Sequence, residues 1–175
     1  MNLDVVIVIK FHIVLMKNKD DIYYMNEALK LARKAASENE VPVGCVIVHN
    51  NKIIARSYNI RKQQNDVLGH AEIIAIKKAS KKLKTWILDE STIYITLEPC
   101  LMCAGAIMQS RIKRVVYATK EPKFGCAGSI INVFNIPEFN HHPEVTSCVL
   151  EEEAQRILKD FFKQLRQNKN ITFDK

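Results

Sequence analysis

The sequence has few of the residues that break or stiffen a chain. Its 175 residues include only five glycines, five prolines and one tryptophan, while 47% are hydrophobic and 26% are charged. Collagen-like, low-complexity and intrinsically disordered chains do not have this balance. A domain usually takes on the order of 100 to 200 residues, so the length leaves no room for a separate binding module. The composition therefore predicts one globular core that carries the whole function.

A long uninterrupted apolar run is also missing. Lys10 and His12 interrupt the apolar stretch near the N-terminus, and a membrane-spanning helix needs about 18 consecutive apolar residues. The stretch also lacks the basic region and the cleavage site of a secretory signal, and Asp4 has the wrong charge for one. We therefore expect no membrane anchor. Residues 1–19 form an extension of unknown role. The alternatives are an added strand, a membrane-surface or targeting element and, as we favour, a misassigned upstream start with Met16 as the initiator.

The even set of cysteines that is typical of a secreted, disulfide-linked domain is absent. The chain has five cysteines, and Cys100 and Cys103 are three residues apart, a spacing typical of metal ligands or a redox pair. This usage favours a reducing, cytoplasmic setting. Cys45 and Cys148 lie in apolar runs predicted as strands, where a cysteine is usually a small buried hydrophobe.

Acidic residues are outnumbered by basic ones. The 26 Lys and Arg residues against 19 Asp and Glu residues give a formal net charge of +7, and the sequence pI is near 9.2. A basic surface favours polyanions such as nucleic acids, but it does not require one.

Hydrophobic periodicity predicts alternating helices and strands. In chain order we expect a helix from Asp20 to about Asn39, with Asp20 or Asp21 as its cap, a hairpin of strands 43–48 and 52–55, a helix beginning at His70, a strand at 92–97, a helix from Pro99 to about Ser110, strands at 114–118 and 145–149, and a helix after Glu151. Strand, helix and strand at 92–118 indicate a parallel crossover unit. The sum predicts an α/β protein in which helices cover a mixed sheet, a three-layer α/β/α sandwich.

Two short patterns at predicted helix starts carry the chemistry. His70-Ala71-Glu72 begins one helix, and Cys100 and Cys103 begin another. Cysteines three residues apart share a helix face, and a helix N-terminus stabilises their thiolates. With His70 they form a Cys₂His set that suits one Zn²⁺ per chain and leaves the fourth tetrahedral position open to water. Glu72, two residues from His70, then points across the site as a general acid and base rather than as a ligand.

Two other interpretations of the cysteine pair stay open. The first is a thioredoxin-like redox pair, although the Leu-Met between the cysteines and the missing aromatic residue before Cys100 do not resemble that class. The second is a closed structural zinc site, which needs a fourth ligand. The candidates for that ligand, none of which has paired spacing, are Cys45, Cys126, Cys148, His141 and His142.

From about Asp20 to Arg166 the sequence resembles the bacterial tRNA-specific adenosine deaminases. The pair H-x-E and P-C-x-x-C is the signature of zinc nucleobase deaminases, and the likeness extends to residues 40–44, 96–106, 110–112 and 125–129 and to Phe161, Phe162 and Arg166. The resemblance identifies residues 20–175 as a zinc-dependent deaminase domain. It implies a cytidine deaminase-like fold with a central mixed five-stranded sheet, and deamination of the wobble adenosine of a tRNA anticodon to inosine. It also implies a homodimer with active sites beside the subunit interface.

The resemblance also assigns substrate contacts by position. Asn59 is expected to contact the flipped base, although asparagine is also common in turns, and the backbone of Ala71 is expected to line the base pocket. Glu121 stands where many relatives carry an aspartate near the substrate sugar. Asn140 and His141 match a substrate-loop pattern of the family.

Other functions remain open beside this one. The same zinc chemistry serves deaminases of free bases or nucleosides such as guanine or cytosine, and the cluster also suits a zinc-stabilised RNA-binding module without catalysis. Residues 66–69 read Asp-Val-Leu-Gly, where the family commonly reads Asp-Pro-Thr-Ala. The C-terminal helix is basic and includes Lys159, Lys163 and Arg166. This helix and the motifs that flank the zinc signature favour RNA, so we expect the partner to be the anticodon stem-loop of a tRNA.

Overall fold

A computed structural model describes the backbone of residues 3–171 and the side chains of residues 19–167. In chain order its elements are α1 (Leu3–Ser37), β1 (Gly44–His49), β2 (Lys52–Tyr58), α2 (Arg61–Gln64), α3 (Ala71–Leu83), β3 (Ser91–Leu97), α4 (Leu101–Gln109), β4 (Arg114–Thr119), a 3₁₀ turn (Val133–Asn135), β5 (Glu144–Thr146) and α5 (Glu151–Ile171). Among these helices, none combines the length and the apolar character that a membrane span needs.

The strands form one mixed sheet in the order β2-β1-β3-β4-β5. Strand β1 is antiparallel to β2 and to β3, whereas β3 runs parallel to β4 and β4 runs parallel to β5. The predicted hairpin turns at Asn50 and Asn51, whose φ angles are 48° and 56°. Positive φ at both turn residues is the geometry of a two-residue hairpin that matches the strand twist. The expected hairpin and the expected parallel crossover are both confirmed.

Helices cover both faces of this sheet. The core on the side of α3 and α4 includes the buried residues Ala75, Ile95, Ile107, Val115 and Phe134. The core on the side of α1 and α5 includes the buried residues Met25, Leu29, Val46, Val116 and Ala154. Successive residues of β1 and of β4 therefore serve opposite layers, as expected for strands buried on both faces. The predicted α/β/α sandwich with five strands is confirmed.

The predicted start of the first helix at Asp20 is wrong, because α1 is continuous from Leu3. The aspartate at position 21 is not a cap. Its carboxylate accepts two hydrogen bonds from Arg114, at 2.8 and 2.7 Å, and one from the Tyr94 hydroxyl at 2.9 Å. These bonds fasten α1 to β3 and β4, so the acid that suggested a helix start anchors the middle of a longer helix.

Three shorter features also differ from the expectations. Cys148 is exposed, with φ at 65°, because β5 ends at Thr146 and Cys148 lies outside the strand; Cys45 is buried in β1, as predicted. Pro99 precedes the N-cap of α4 and is not in its first turn. The polar segment after Asn59 contains the short helix α2.

Candidate active site

The starts of helices α3 and α4 bring the three predicted metal ligands together. His70 is the N-cap of α3, and Cys100 is the N-cap of α4. The His70 Nδ1 atom lies 3.5 Å from the Cys103 Sγ atom and 3.8 Å from the Cys100 Sγ atom. All three ligand atoms lie within 4.8 Å of one another.

The start of α3 is fixed by the strand and the loop before it. The Asn59 Oδ1 atom accepts the backbone N–H of Ala71 at 2.9 Å, and the Ser57 hydroxyl donates to the Ala71 carbonyl at 2.6 Å. The Asn59 carbonyl thereby satisfies one of the N–H groups that a helix leaves free at its start. Since a backbone N–H can bond only to the carbonyl end of an amide, this bond leaves the Nδ2 donor of Asn59 available.

The donor set fits a zinc ion with an open position. Two sulfurs and one imidazole nitrogen are ligands that Zn²⁺ accepts in tetrahedral sites. Among the described side chains, His70, Cys100 and Cys103 form the one group of at least three potential metal ligands. The alternative fourth ligands His141 and His142 are bonded elsewhere, to the carbonyls of residues 112 and 134. This arrangement favours an open site over a closed structural one.

Glu72 brings an unsatisfied oxygen to the same place. The residue is only 4% exposed, and its Oε2 atom has no hydrogen-bond partner among the described residues. A buried carboxylate oxygen without a partner costs on the order of 1 to 3 kcal/mol, so such an atom signals a missing ligand or water. Glu72 therefore points to a polar group that the active site binds.

Hydrogen bonds within the cluster shift the pKa values of its members. The hydrogen bond from the Cys103 thiol lowers the pKa of Cys100 to about 4, against the effect of burial, and the same hydrogen bond raises the pKa of Cys103. The hydrogen bond to Cys100 raises the pKa of His70. Burial raises the pKa of Glu72. A thiolate at Cys100 is the form that binds zinc.

A cavity of about 800 Å³ opens in front of the cluster. Its lining includes Asn59, His70, Glu72 and Glu121, which were predicted as site residues, and also Phe124. The backbone N–H and carbonyl of Ala71 are occupied by the bonds described above. The volume lies within the range of pockets that enclose small-molecule ligands, so a nucleobase fits inside it.

Glu98, which no sequence pattern marks as functional, shapes one wall of this cavity. Its carboxylate, only 2% exposed, accepts the backbone N–H groups of Glu121, Ala127 and Ser129 at 3.0, 2.9 and 3.0 Å, and it also accepts the Ser129 hydroxyl. Nearby, the N–H of Cys126 donates to the Pro99 carbonyl at 3.0 Å. The loop 121–129 is thereby tied to the start of α4.

Asn140 and His141 do not line the cavity beside the metal cluster. Asn140 accepts a hydrogen bond from Arg111 at 2.6 Å, and His141 Nε2 donates to the Ile112 carbonyl at 2.7 Å. Both bond to residues that come just after the C-terminal end of α4. The metal cluster lies at the other end of this helix, which has nine residues and rises about 1.5 Å per residue. They line a second groove of about 500 Å³, and their role as substrate contacts stays a prediction.

Comparisons with known proteins agree with this geometry. The family model for MafB19-like deaminases matches residues 18–166. The tRNA-specific adenosine deaminase of Bacillus subtilis (strain 168) is 48% identical over 149 residues, which cover 85% of this chain and 92% of that protein. A solved structure from work on A-to-I editing by tRNA:A34 deaminases at the wobble position of transfer RNA is 42% identical, with a TM-score of 0.75, and the match covers 78% of this chain and 99% of that one. The crystal structure of guanine deaminase from Bacillus subtilis is 39% identical, with a TM-score of 0.54 and coverage of 56% of this chain and 63% of that one.

Proposed function

This chain belongs to the MafB19-like deaminase family and, within it, to the tRNA-specific adenosine deaminases, and from that premise we propose that it converts the wobble adenosine of a tRNA anticodon to inosine. The reaction adds water to adenine and releases ammonia. The observation that carries the proposal is the open Cys₂His cluster with the buried Glu72 carboxylate beside it, at the end of a cavity that fits a base. A tRNA substrate supports a cytoplasmic location, which is part of this proposal.

His70, Cys100 and Cys103 would hold one zinc ion. When bound, zinc acts as a Lewis acid that lowers the pKa of a coordinated water toward about 7. The lowered pKa of Cys100 favours the thiolate form that binds zinc, and the His70 Nδ1 atom lies close to both sulfurs.

Glu72 moves the protons of the reaction. Its carboxylate takes a proton from the attacking water and delivers it to N1 of adenine, so that C6 accepts the oxygen. Glu72 then passes the proton of the new C6 hydroxyl to the exocyclic amine, so that the C6–N bond breaks, ammonia leaves and C6 becomes a carbonyl. Burial raises the pKa of Glu72, which makes the protonated form accessible and suits a group that must both accept and donate.

Asn59 and Glu121 position the nucleoside. The Asn59 Nδ2 group donates to the base, while its carbonyl holds the start of α3, and the Ala71 backbone lies at that same helix start. Glu121 lines the cavity at the position expected for the sugar. Its Oε1 atom accepts the N–H of Lys123 at 2.9 Å, which fixes the carboxylate at this edge.

A homodimer fits the second groove. Three of the groove's apolar residues are strongly exposed, namely Leu101 at 60%, Ile131 at 46% and Phe139 at 44%. Exposed apolar patches of this kind mark interaction surfaces. Because Leu101 directly follows Cys100, a second copy seated here lies beside the active site and close to Asn140 and His141. Light scattering should report twice the mass of one chain, and Leu101→Glu should reduce it to a monomer.

Deamination of a free base is the second candidate, favoured by the likeness to guanine deaminase. Purified protein should be incubated with an anticodon stem-loop that carries adenosine at the wobble position, and separately with adenosine, guanine and cytosine. Nucleoside mass spectrometry then measures inosine, and a coupled assay measures ammonia. We expect inosine in the stem-loop alone. Turnover of guanine or cytosine with no inosine in the stem-loop would assign the chain to the free-base deaminases.

A further inference from the structure

Phe124 is exposed at the wall of the active-site cavity. Its side chain is 70% exposed, the highest value among the large hydrophobic residues that the structure describes. An exposed phenylalanine gains little for the fold, because hydrophobic stabilisation is roughly proportional to the apolar area removed from water. Its place at the cavity suggests a role toward the ligand.

The loop that presents Phe124 is fixed on both sides of the residue. Glu98 accepts the N–H of Glu121 before it and the N–H of Ala127 after it. Between them, the N–H of Gly125 donates to the Glu121 carbonyl at 2.9 Å. The ring therefore stands on a backbone that is ordered before any substrate arrives, and pre-ordering of this kind reduces the entropic cost of binding.

The surroundings of Phe124 match a surface for single-stranded nucleic acid. Lys120 and Lys123 lie on the same loop and are exposed, and Phe162, 39% exposed, lines the same cavity from α5. Aromatic faces for bases combined with cations for phosphates are the recurring design of single-strand binding sites. A deaminase of free bases has no flanking nucleotide for such a surface to hold.

We propose that Phe124 is a stacking platform for the nucleobase that flanks the edited adenosine. This inference rests on the RNA substrate proposed above and adds a specificity-determining residue to it. When the edited base enters the cavity, its neighbours in the anticodon loop remain outside and are unstacked from it. One of them lies at the mouth, where the ring of Phe124 offers its face.

A double-mutant cycle between protein and RNA tests the platform. Phe124→Ala, Phe124→Leu and Phe124→Trp are assayed on the wobble-adenosine stem-loop and on two variants that lack the base on its 5′ or its 3′ side. Stacking on an aromatic ring is worth about tenfold per base, so Phe124→Ala should raise KM about tenfold and leave kcat nearly unchanged. Phe124→Leu should behave like Phe124→Ala, whereas Phe124→Trp should restore the native KM. Trp86→Ala is the matched control, since Trp86 is 61% exposed and does not line the cavity.

One of the two stem-loops that lack a flanking base should raise the KM of the native protein about as much as Phe124→Ala does. Phe124→Ala assayed on that same stem-loop should show no further rise in KM. Additive effects, or a native KM in Phe124→Ala or Phe124→Leu, would overturn the platform. A fluorescent 2-aminopurine at the flanking position separates this result from the proposed function. Quenching on binding that is lost in Phe124→Ala supports the platform even if no inosine forms, whereas equal quenching in the variant overturns it even if inosine does form.

Discussion

The side-chain carbonyl of Asn59 accepts the backbone N–H of Ala71 at 2.9 Å. This bond joins the residue after β2 to the first residue of α3, so it also sets the positions of His70 and Glu72 on either side of Ala71. The oxygen of this amide holds the helix start, and we propose that its nitrogen contacts the base, which gives one side chain two tasks.

Substitutions at Asn59 should separate these two tasks. Asn59→Asp keeps an oxygen for the Ala71 N–H but loses the Nδ2 donor, so it should fold with native stability and raise KM. Asn59→Ala leaves a buried N–H unpaired, which costs on the order of 1 to 3 kcal/mol, and should also raise KM. Urea unfolding measures the stability and stem-loop kinetics measure KM. An Asn59→Asp protein with native KM would show that Asn59 serves the helix alone.

The metal cluster predicts one zinc ion per chain. Cys100→Ser and Cys103→Ser should lose the ion and the deamination activity, because each removes a sulfur ligand. Cys148→Ser should keep both, since Cys148 is an exposed cysteine outside the cluster. Metal analysis of freshly purified protein makes the comparison. Native protein without zinc, or full zinc content in Cys100→Ser, would refute the assignment of ligands.

Glu72→Gln should separate catalysis from metal binding. The amide has nearly the same shape but does not carry the proton, and a general acid and base contributes roughly 10²- to 10⁴-fold to the rate. We expect native zinc content, a native fold and a loss of kcat of at least that order. Loss of zinc in Glu72→Gln comparable with the loss in Cys100→Ser would make Glu72 a ligand.

The wall of the cavity should depend on Glu98. Glu98→Ala leaves three backbone N–H groups without their acceptor, which should lower the free energy of unfolding by on the order of 3 kcal/mol. Hydrogen exchange should rise in the loop 121–129. The matched control is Glu90→Ala, because Glu90 is exposed and its ion pair among the described side chains is with Lys113. Unchanged exchange in this loop would contradict its attachment through Glu98.

Removal of residues 1–15 should leave deamination unchanged. The family match begins at residue 18, and among the described side chains, which start at residue 19, the contacts that fasten α1 to the sheet come from Asp21 and residues after it. The shortened protein and the full chain are compared by stem-loop kinetics and thermal unfolding. A large loss of soluble protein would mean that the extension is packed into the fold or into an interface.

The metal cluster was predictable because each half of it is local in the sequence. His70-Ala71-Glu72 and the Cys100–Cys103 spacing are readable motifs at predicted helix starts, and α/β folds bring helix starts to one edge of the sheet. The layers were predictable for the same reason, since strands such as β1 carry continuous apolar runs.

The remaining features depend on partners that are distant in the chain. Asp21 looked like a helix cap because its partner Arg114 is 93 residues away. Glu98 was overlooked because it binds backbone N–H groups 23 to 31 residues away, and backbone groups leave no trace in the residue pattern. Nothing in the residue pattern marked Phe124 either, because the exposure of its side chain depends on the folded conformation of the loop.

Hydrolysis of the wobble adenosine in water enriched in ¹⁸O tests the central claim most directly. The native zinc-loaded protein is incubated with the anticodon stem-loop, and the nucleosides are then analysed by mass spectrometry. The account predicts inosine that carries one ¹⁸O atom at C6, with one ammonia released per inosine, and almost none of either with Glu72→Gln. A stem-loop that is bound but whose adenosine stays unchanged, with native protein of full zinc content, would contradict it.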